Sequence, residues 1–256
     1  EKFPKSGFIQ NNLGYALFKI NKRDSAFLFF DRAAKFSGTQ TEAQANITAL
    51  VAKNNIAINA DSLIQPFTKT DAVLSNAILI AGQQGQSLTT SVDPLKNDVL
   101  NVQSATLLNN YMVYKLKDLD TTFINRAFKL ASDSVNGDYS EALKATLAHA
   151  YYHQNNVAKA MALLGEVAYV TQSLQGKFNY TMGLWALEQG NPRLAVSCFA
   201  YSVDQNYKDA KTYNAIALAE AGQSEAANAA AAVLLEGRNL SDREIGRQLR
   251  KIYATS

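Results

Sequence analysis

The sequence has little of several residue types on which common folds and functions depend. Its 256 residues include one cysteine and two histidines, and charged residues make up 18%. A single cysteine cannot form a disulfide within the chain, which excludes a disulfide-stabilised fold. No apolar run approaches the roughly 18 residues that a membrane span requires, so the sequence predicts no transmembrane segment.

Charge is both scarce and nearly balanced. The formal net charge is +3, and the charged share lies below the usual quarter of residues. Asn, Gln, Ser and Thr take the place of charged side chains, so the surface provides little long-range electrostatic steering. We therefore expect no broad binding to nucleic acids or anionic lipids.

Motifs for catalysis or cofactor binding are also missing. The sequence has no glycine-rich phosphate loop, no cysteine pair and no nucleophile in a recognised flanking pattern. His149 and His153 stand four residues apart, a spacing that can place two imidazoles on one metal. However, Ala150 stands where the zinc-protease pattern has glutamate, and no third ligand is close by. We predict a non-enzymatic protein without cofactor or metal, in which both histidines contact a partner or belong to ordinary helix surface.

What the sequence does contain is a recurring polar break between apolar helical patterns. Consecutive breaks lie about 34 residues apart, the period of helix-turn-helix repeats. They fall at Asn21-Lys22, Asn54-Asn55, Gln84-Gly85, Lys117-Asp118, Asn155-Asn156, Gly190-Asn191 and Gly222-Gln223. One hairpin of this kind cannot bury its own apolar face, so the pattern predicts hairpins stacked on one another.

Small and large residues recur at matching places between the breaks. In the first repeat, small Gly14 and Ala26 would let two helices approach, while Phe30 fills the space beside them. The same arrangement recurs at Gly183, Ala195 and Phe199, and at Ala148, Tyr151, Ala160 and Leu164. This arrangement resembles the tetratricopeptide repeat family. The sequence departs from that family where Gln10, Lys144 and Asn179 replace an early large aromatic, and where Pro66 alone lies near a closing proline.

The resemblance implies an all-α fold. It predicts a right-handed superhelical solenoid of about seven hairpins in a single domain, 1–256, with a C-terminal capping helix at 241–254. An irregular helical bundle with the same packing rules is the alternative. The repeats are placed at 7–40, 41–69, 70–103, 104–137, 141–174, 176–209 and 210–236. Agreement is poorest at 70–103, and 85–103 has no settled structural prediction.

Local signals predict where several helices begin and end. Three capping boxes are predicted to start helices. They are Thr39 with Glu42, Asp138 with Glu141, and Ser241 with Glu244. Gly38 is predicted to end the second helix, and Gly176 to separate the fifth repeat from the sixth.

In the family, set positions on the first helix of each repeat line an inner groove that holds a segment of another protein. Carried onto this sequence, the positions are Phe8, Asn11, Tyr15, Phe18, Lys19, His149, Tyr152, His153, Lys177 and Tyr180. This set is more aromatic than charged, so it implies an apolar or amphipathic ligand held by ring stacking and buried area. Each ring could instead pack between neighbouring repeats.

The last predicted helix has two distinct faces. An apolar face, which would seal the open end of the stack, is shared by Ile245, Leu249 and Ile252. A basic face is shared by Arg243, Arg247 and Arg250. We interpret the basic face as solvated surface, with contact to an acidic peptide, a lipid or nucleic acid as the alternative.

The predicted function is a protein-interaction scaffold that binds a peptide or helical segment of a partner in the concave groove. The alternative is the regulatory or envelope-assembly portion of a longer protein whose activity lies elsewhere. Because the sequence starts at Glu1 and not at Met, we expect it to be a piece or a processed product. Scarce cysteine and abundant amides suit a bacterial envelope, periplasmic or outer-membrane-associated, as well as the cytoplasm; we favour the envelope.

Overall fold

The computed structural model describes residues 6–88, 105–133 and 140–253, and these residues form helices connected by turns. The α-helices are α1 Gly7–Lys19, α2 Arg23–Ala33, α3 Gln40–Lys53, α4 Ala60–Ile64, α5 Asp71–Gln84, α6 Ala105–Tyr114, α7 Thr121–Asp133, α8 Ser140–His153, α9 Val157–Val170, α10 Gln175–Glu188, α11 Pro192–Asp204, α12 Ala210–Glu220, α13 Ser224–Glu236 and α14 Leu240–Tyr253. A 3-10 turn, Gln172–Leu174, precedes α10. No strand occurs within these ranges, which confirms the all-α class.

The chain divides into two compact units, Glu1–Thr146 and Leu147–Ser256, with the division inside α8. In the first unit, α1 packs on α2 and α3, α2 packs on α3, and α5 packs on α3, α4 and α6. In the second unit, α10 packs on α9, α11 and α12, and α14 packs on α12 and α13. Each of these helices therefore contacts its neighbours in the chain or the helix one step beyond.

Six of the seven predicted breaks contain a residue in the left-handed conformation. These residues are Asn21, Asn55, Gly85, Asn155, Gly190 and Gly222, with φ between 47° and 73°. The next residue donates its N–H to the carbonyl five residues back, as from Lys22 to Leu17 at 2.9 Å. Glycine and asparagine adopt this helix-ending conformation at the least cost, which explains why they recur at the breaks. The seventh break differs, because α6 already ends at Tyr114 and the Asp118 N–H bonds to the Lys115 carbonyl instead.

The predicted contact between a small residue and a phenylalanine is present in both units. A Cβ atom added at Gly14 would lie 2.7 Å from the Phe30 ring, and one at Gly183 would lie 2.6 Å from the Phe199 ring. Both phenylalanines are fully buried. The absence of a side chain on the first helix therefore creates the space that the ring on the second helix occupies.

The helix boundaries predicted at Gly38 and Gly176 are wrong, and so is the capping box predicted at Thr39, although α3 does begin directly after Thr39. α2 ends at Ala33, before Gly38. The Thr39 hydroxyl caps no N–H of α3, because it donates instead to the Ala33 carbonyl at 2.9 Å in a buried contact. Gly176 lies inside α10, where a Cβ would be 2.9 Å from the Gln205 Cβ. Close helix packing, not a chain break, therefore accounts for this glycine.

The capping box predicted for the last helix is also wrong. α14 begins at Leu240, and the Asn239 side chain accepts the Ser241 N–H at 3.0 Å. Glu244 accepts a hydrogen bond from Arg247 one turn further on. Asp138 and most of 85–103 lie outside the described residues. Among the helices that are described, none has both the length and the apolar character needed to cross a membrane.

Candidate functional site

Three aromatic side chains from two helices of the second unit form a compact cluster. The Tyr152 ring stacks on the Trp185 indole with centroids 4.4 Å apart and planes 9° apart. His149 meets the same indole edge-on at 5.0 Å. His149 and Tyr152 share a face of α8 because they are three residues apart, and α10 supplies Trp185. Trp185 is buried, whereas the two α8 side chains remain partly exposed.

Polar groups surround this cluster. The Tyr152 hydroxyl donates a hydrogen bond to the Glu188 carboxylate, and burial together with that carboxylate raises the pKa of Tyr152. Burial, followed by the positive charges of His153 and Lys177, holds the pKa of His149 below its ordinary value. At neutral pH the cluster therefore presents an uncharged imidazole and a phenol that keeps its proton, with His153, Lys177 and Glu188 exposed beside them.

The lowered pKa of His149 leads to a pH-dependent prediction. Its imidazole should titrate with a midpoint below 6.5, because protonation would charge a group packed against an indole. The neutral form then stabilises the fold fully above pH 6.5, and this contribution is lost as the pH falls through the folded-state pKa. Proton NMR of the imidazole resonances measures the midpoint, and a His153→Gln variant assigns the two histidines. A midpoint at or above 6.5 for His149 would contradict the packing described here.

Tyr180 lies within the packing between helices. Its ring contacts Phe199 at 5.6 Å, Tyr207 at 5.0 Å and Tyr213 at 5.5 Å between centroids. Burial, followed by Tyr213 and Asp209, raises the pKa of Tyr180 to about 12. Tyr180 therefore joins α10 to α11 and α12, and only part of its ring is accessible to a ligand.

The candidate residues of the first unit lie on α1 and differ in exposure. Phe8 and Tyr15 are exposed, and the Lys19 ammonium lies 5.4 Å from the centroid of the Tyr15 ring. Phe18 packs against the core around Phe30, with the Lys53 ammonium 4.6 Å from its ring centroid. The Asn11 side chain accepts a hydrogen bond from Asn46 of α3 at 2.9 Å. Exposed rings on α1 thus lie beside residues that hold α1 to α3.

The basic face of α14 is present, and one of its charges is paired. Leu249 packs with Ala215, Ala231 and Leu234, which orients the arginines away from that core. Arg247 forms an ion pair with Glu244 at 2.6 Å, and both side chains are about half exposed. Arg250 is exposed and Arg243 partly so. An exposed pair of this kind contributes little to stability, which agrees with a solvated surface.

Other possible sites in the described ranges are limited. No group of three or more His, Cys, Asp or Glu side chains there is arranged to hold a metal ion. Cys198 is buried, and burial raises the pKa of its thiol. A cleft of about 280 Å³ lies among the ends of α11 to α14, where Lys208 and Lys211 flank a hydrogen bond from the Thr212 hydroxyl to Asp242.

Trp185 is the site residue that sequence reasoning missed. In α10 the groove positions carried over from the repeat family are Lys177 and Tyr180, not position 185. The residues at the equivalent position in α3 and α5, Leu50 and Ile80, are buried. Composition contained a signal, because this is the only tryptophan in the sequence and it lies on a helix already expected to line the groove. Indole rings are enriched at binding hot spots, so its place next to Tyr152 is informative.

Comparison with known proteins assigns no family to this chain. No model of a known protein family matches the sequence, and no curated protein matches it.

Proposed function

We propose that this protein is a non-enzymatic scaffold of tetratricopeptide type that binds a peptide or a helical segment of a partner protein. The proposal includes right-handed superhelical stacking of about seven hairpins. Its supports are the left-handed turns that recur about 34 residues apart and the glycine–phenylalanine contacts in the first and sixth repeats. Packing of each helix on its neighbours within both units agrees with it.

The contact surface we propose in the second unit is the cluster of His149, Tyr152 and Trp185. Stacking on a buried indole holds the Tyr152 ring in one orientation, so a ligand that packs on it orders few additional rotatable bonds. Tyrosine and tryptophan are enriched among the residues that dominate binding energy. An apolar side chain of the ligand would cover the exposed part of the Tyr152 ring.

The polar groups beside the cluster define the kind of ligand. Lys177 and His153 can donate hydrogen bonds to carbonyl groups, and the Glu188 carboxylate can accept them. An amphipathic segment, with an apolar side chain on Tyr152 and polar groups toward these residues, satisfies both requirements. A ligand of uniform strong charge does not, because the cluster itself is neutral at pH 7.

Replacing Tyr152 with alanine should weaken binding of such a segment by at least about 2 kcal/mol, the loss typical of a central aromatic residue. Peptides selected from a display library on the wild-type chain serve as ligands, and fluorescence of Trp185 reports their binding. The matched control is Tyr169→Ala, because Tyr169 is 83% exposed on α9, a second helix. Equal affinity of both variants for the selected peptides would reject this surface.

Phe18→Ala tests the first unit in the same assay. Since Phe18 also packs against the Phe30 core, a thermal melt must show that this variant stays folded before its binding is compared.

A further inference from the structure

An apolar stripe on α1 remains uncovered by any described helix. We call Ile9, Leu13, Ala16 and Ile20 the α1 seam; their spacing of four, three and four residues is that of a coiled-coil contact line. Ile9 is 44% exposed, Leu13 42% and Ile20 63%. Ile9 and Leu13 lie on α1, and Ile20 directly follows its last residue. Three large aliphatic side chains in one line are more than the scattered apolar residues of an ordinary surface.

The equivalent positions of α3, α5 and α10 are buried. The left-handed residue after α1 is Asn21, which follows Ile9 by twelve residues, Leu13 by eight and Ala16 by five. The same three places are Ala43, Ile47 and Leu50 in α3, and Val73, Ala77 and Ile80 in α5. In α10 they are Phe178, Met182 and Trp185, and none of these nine residues is more than 8% exposed.

Preceding helices contact these positions in α3 and α10, where Ile47 and Leu50 pack with Ala26 and Phe30 of α2, and Trp185 packs on Tyr152 of α8. α3 packs on α1 and α2, α5 packs on α3 and α4, and α10 packs on α9. In α3 and α10 this face of the first helix is thus one onto which a preceding helix docks. In α1 the face keeps its apolar residues but has no described helix on it.

Ile20 shows that the α1 seam is built for more than the standard repeat contact. The residue directly before the left-handed position is Asn54 after α3, Gln84 after α5 and Gln189 after α10. Only after α1, among these four helices, is that residue a large aliphatic one. The α1 seam therefore extends the apolar line by one further turn.

Charge selects the surface that can cover the α1 seam. The seam contains no charged residue, so a second copy of it can approach without burying charge. End-to-end stacking onto α14 of another copy would instead desolvate Arg247 and Arg250, which are exposed there. Lys19, Lys22 and Arg23 gather at the C-terminal end of α1, so parallel pairing would bring like charges together, whereas antiparallel pairing separates them.

We propose that the α1 seam binds the α1 seam of a second copy of this chain, antiparallel, in a two-fold symmetric dimer. The pairing places Leu13 of each copy opposite the small Ala16 of the other, and Ile9 opposite Ile20. A large residue facing a small one lets two helices approach closely. The contact is the same patch on both copies, so it closes on itself.

The test is the molar mass of the 256-residue chain in solution. Sedimentation velocity over a range of concentrations should give twice the 27.9 kDa of one chain. Leu13→Glu should raise the dissociation constant at least about 100-fold, because it buries an unpaired carboxylate in each copy. Val233→Glu is the matched control, since Val233 is 54% exposed on α13, and it should leave the dimer intact. Circular dichroism confirms that both variants fold.

A second measurement tests the orientation. An equimolar mixture of Ile9→Cys and Ile20→Cys chains should oxidise to the mixed disulfide in preference to either symmetric one. A chain that remains at 27.9 kDa at every concentration would overturn the proposal and leave a helix of another protein as the occupant. Association into oligomers larger than a dimer would overturn it as well, and so would a folded Leu13→Glu chain that stays dimeric.

Discussion

Replacing Phe199 with alanine is expected to lower the free energy of unfolding of the second unit by about 3–5 kcal/mol, the range measured for large-to-small changes at buried aromatic residues. The ring is fully buried and lies between Tyr180 and Tyr213, with centroids 5.6 Å and 5.8 Å away. Two further neighbours, Ala195 and Gly183, are too small to fill the space that the ring would leave. The cost should therefore fall in the upper part of that range.

Trp185 makes this prediction measurable within one unit. It is the only tryptophan of the sequence, so its fluorescence during denaturant unfolding reports the residues around it. Leu194→Ala is the control, because Leu194 lies on the same helix and is 41% exposed. A loss below about 1 kcal/mol for Phe199→Ala, similar to that of an exposed residue, would show that the ring does not organise this core.

Gly183→Ala should destabilise the same unit by about 1–3 kcal/mol, the cost of overpacking a dense core. At an open position inside a helix, the same change normally stabilises by about 0.5–1 kcal/mol, because alanine loses less backbone entropy on folding. At Gly183 the added Cβ would lie 2.6 Å from a fully buried ring, so either the ring or the helix must move.

Gly165 provides the matched comparison. It lies inside α9 of the same unit, and a Cβ added there would meet no atom within 4 Å. Gly165→Ala should therefore stabilise by about 0.5–1 kcal/mol, so that one chemical change has opposite signs at two places. In a Phe199→Leu background, Gly183→Ala should cost less stability than in the wild-type chain, since the smaller leucine leaves space for the added Cβ. Stabilisation by both glycine substitutions would contradict the close contact.

The helix-ending turns were predictable from the sequence because their cause is local. A left-handed residue is needed to end the helix, and asparagine or glycine supplies it at Asn21, Gly190 and the related positions. The relation of Gly183 to Phe199 was predictable for a similar reason. Both residues belong to one hairpin, and the same spacing recurs at Gly14 and Phe30, so the register could be obtained by comparing repeats.

The wrong predictions involve groups whose partners lie on another helix. Thr39 has the side chain of a helix cap, but the Ala33 carbonyl, six residues earlier, takes its hydrogen bond. Gly176 is a residue type common in linkers, but it lies inside α10. There its carbonyl accepts a hydrogen bond from the buried Ser202 hydroxyl at 2.9 Å. Capping and turn predictions consider only hydrogen-bond partners within a few residues along the chain. They contain no information on a competing partner on another helix.

The candidate site shows the same division. Aromatic residues and histidines on the first helices were predictable from repeat positions, including His149, Tyr152 and Tyr180. Their different roles were not, because Tyr180 packs among three rings whereas Tyr152 stacks on Trp185 with part of its ring exposed. The role of each ring depends on which side chain the neighbouring helix places against it.

The sequence by itself determined the all-α class, the positions of most turns, and the pairing of a small residue with a phenylalanine within a hairpin. These features follow from local backbone preferences and from the spacing of residues within one repeat of about 34 residues. They therefore do not depend on how repeats pack on one another. The tertiary structure decided that Trp185 lies beneath Tyr152 and that Tyr180 packs between helices. It also decided that no described helix covers the α1 seam, whereas its counterparts in α3, α5 and α10 are buried. Burial depends on the neighbouring helix, so apolar residues at equivalent positions become core in one repeat and surface in another.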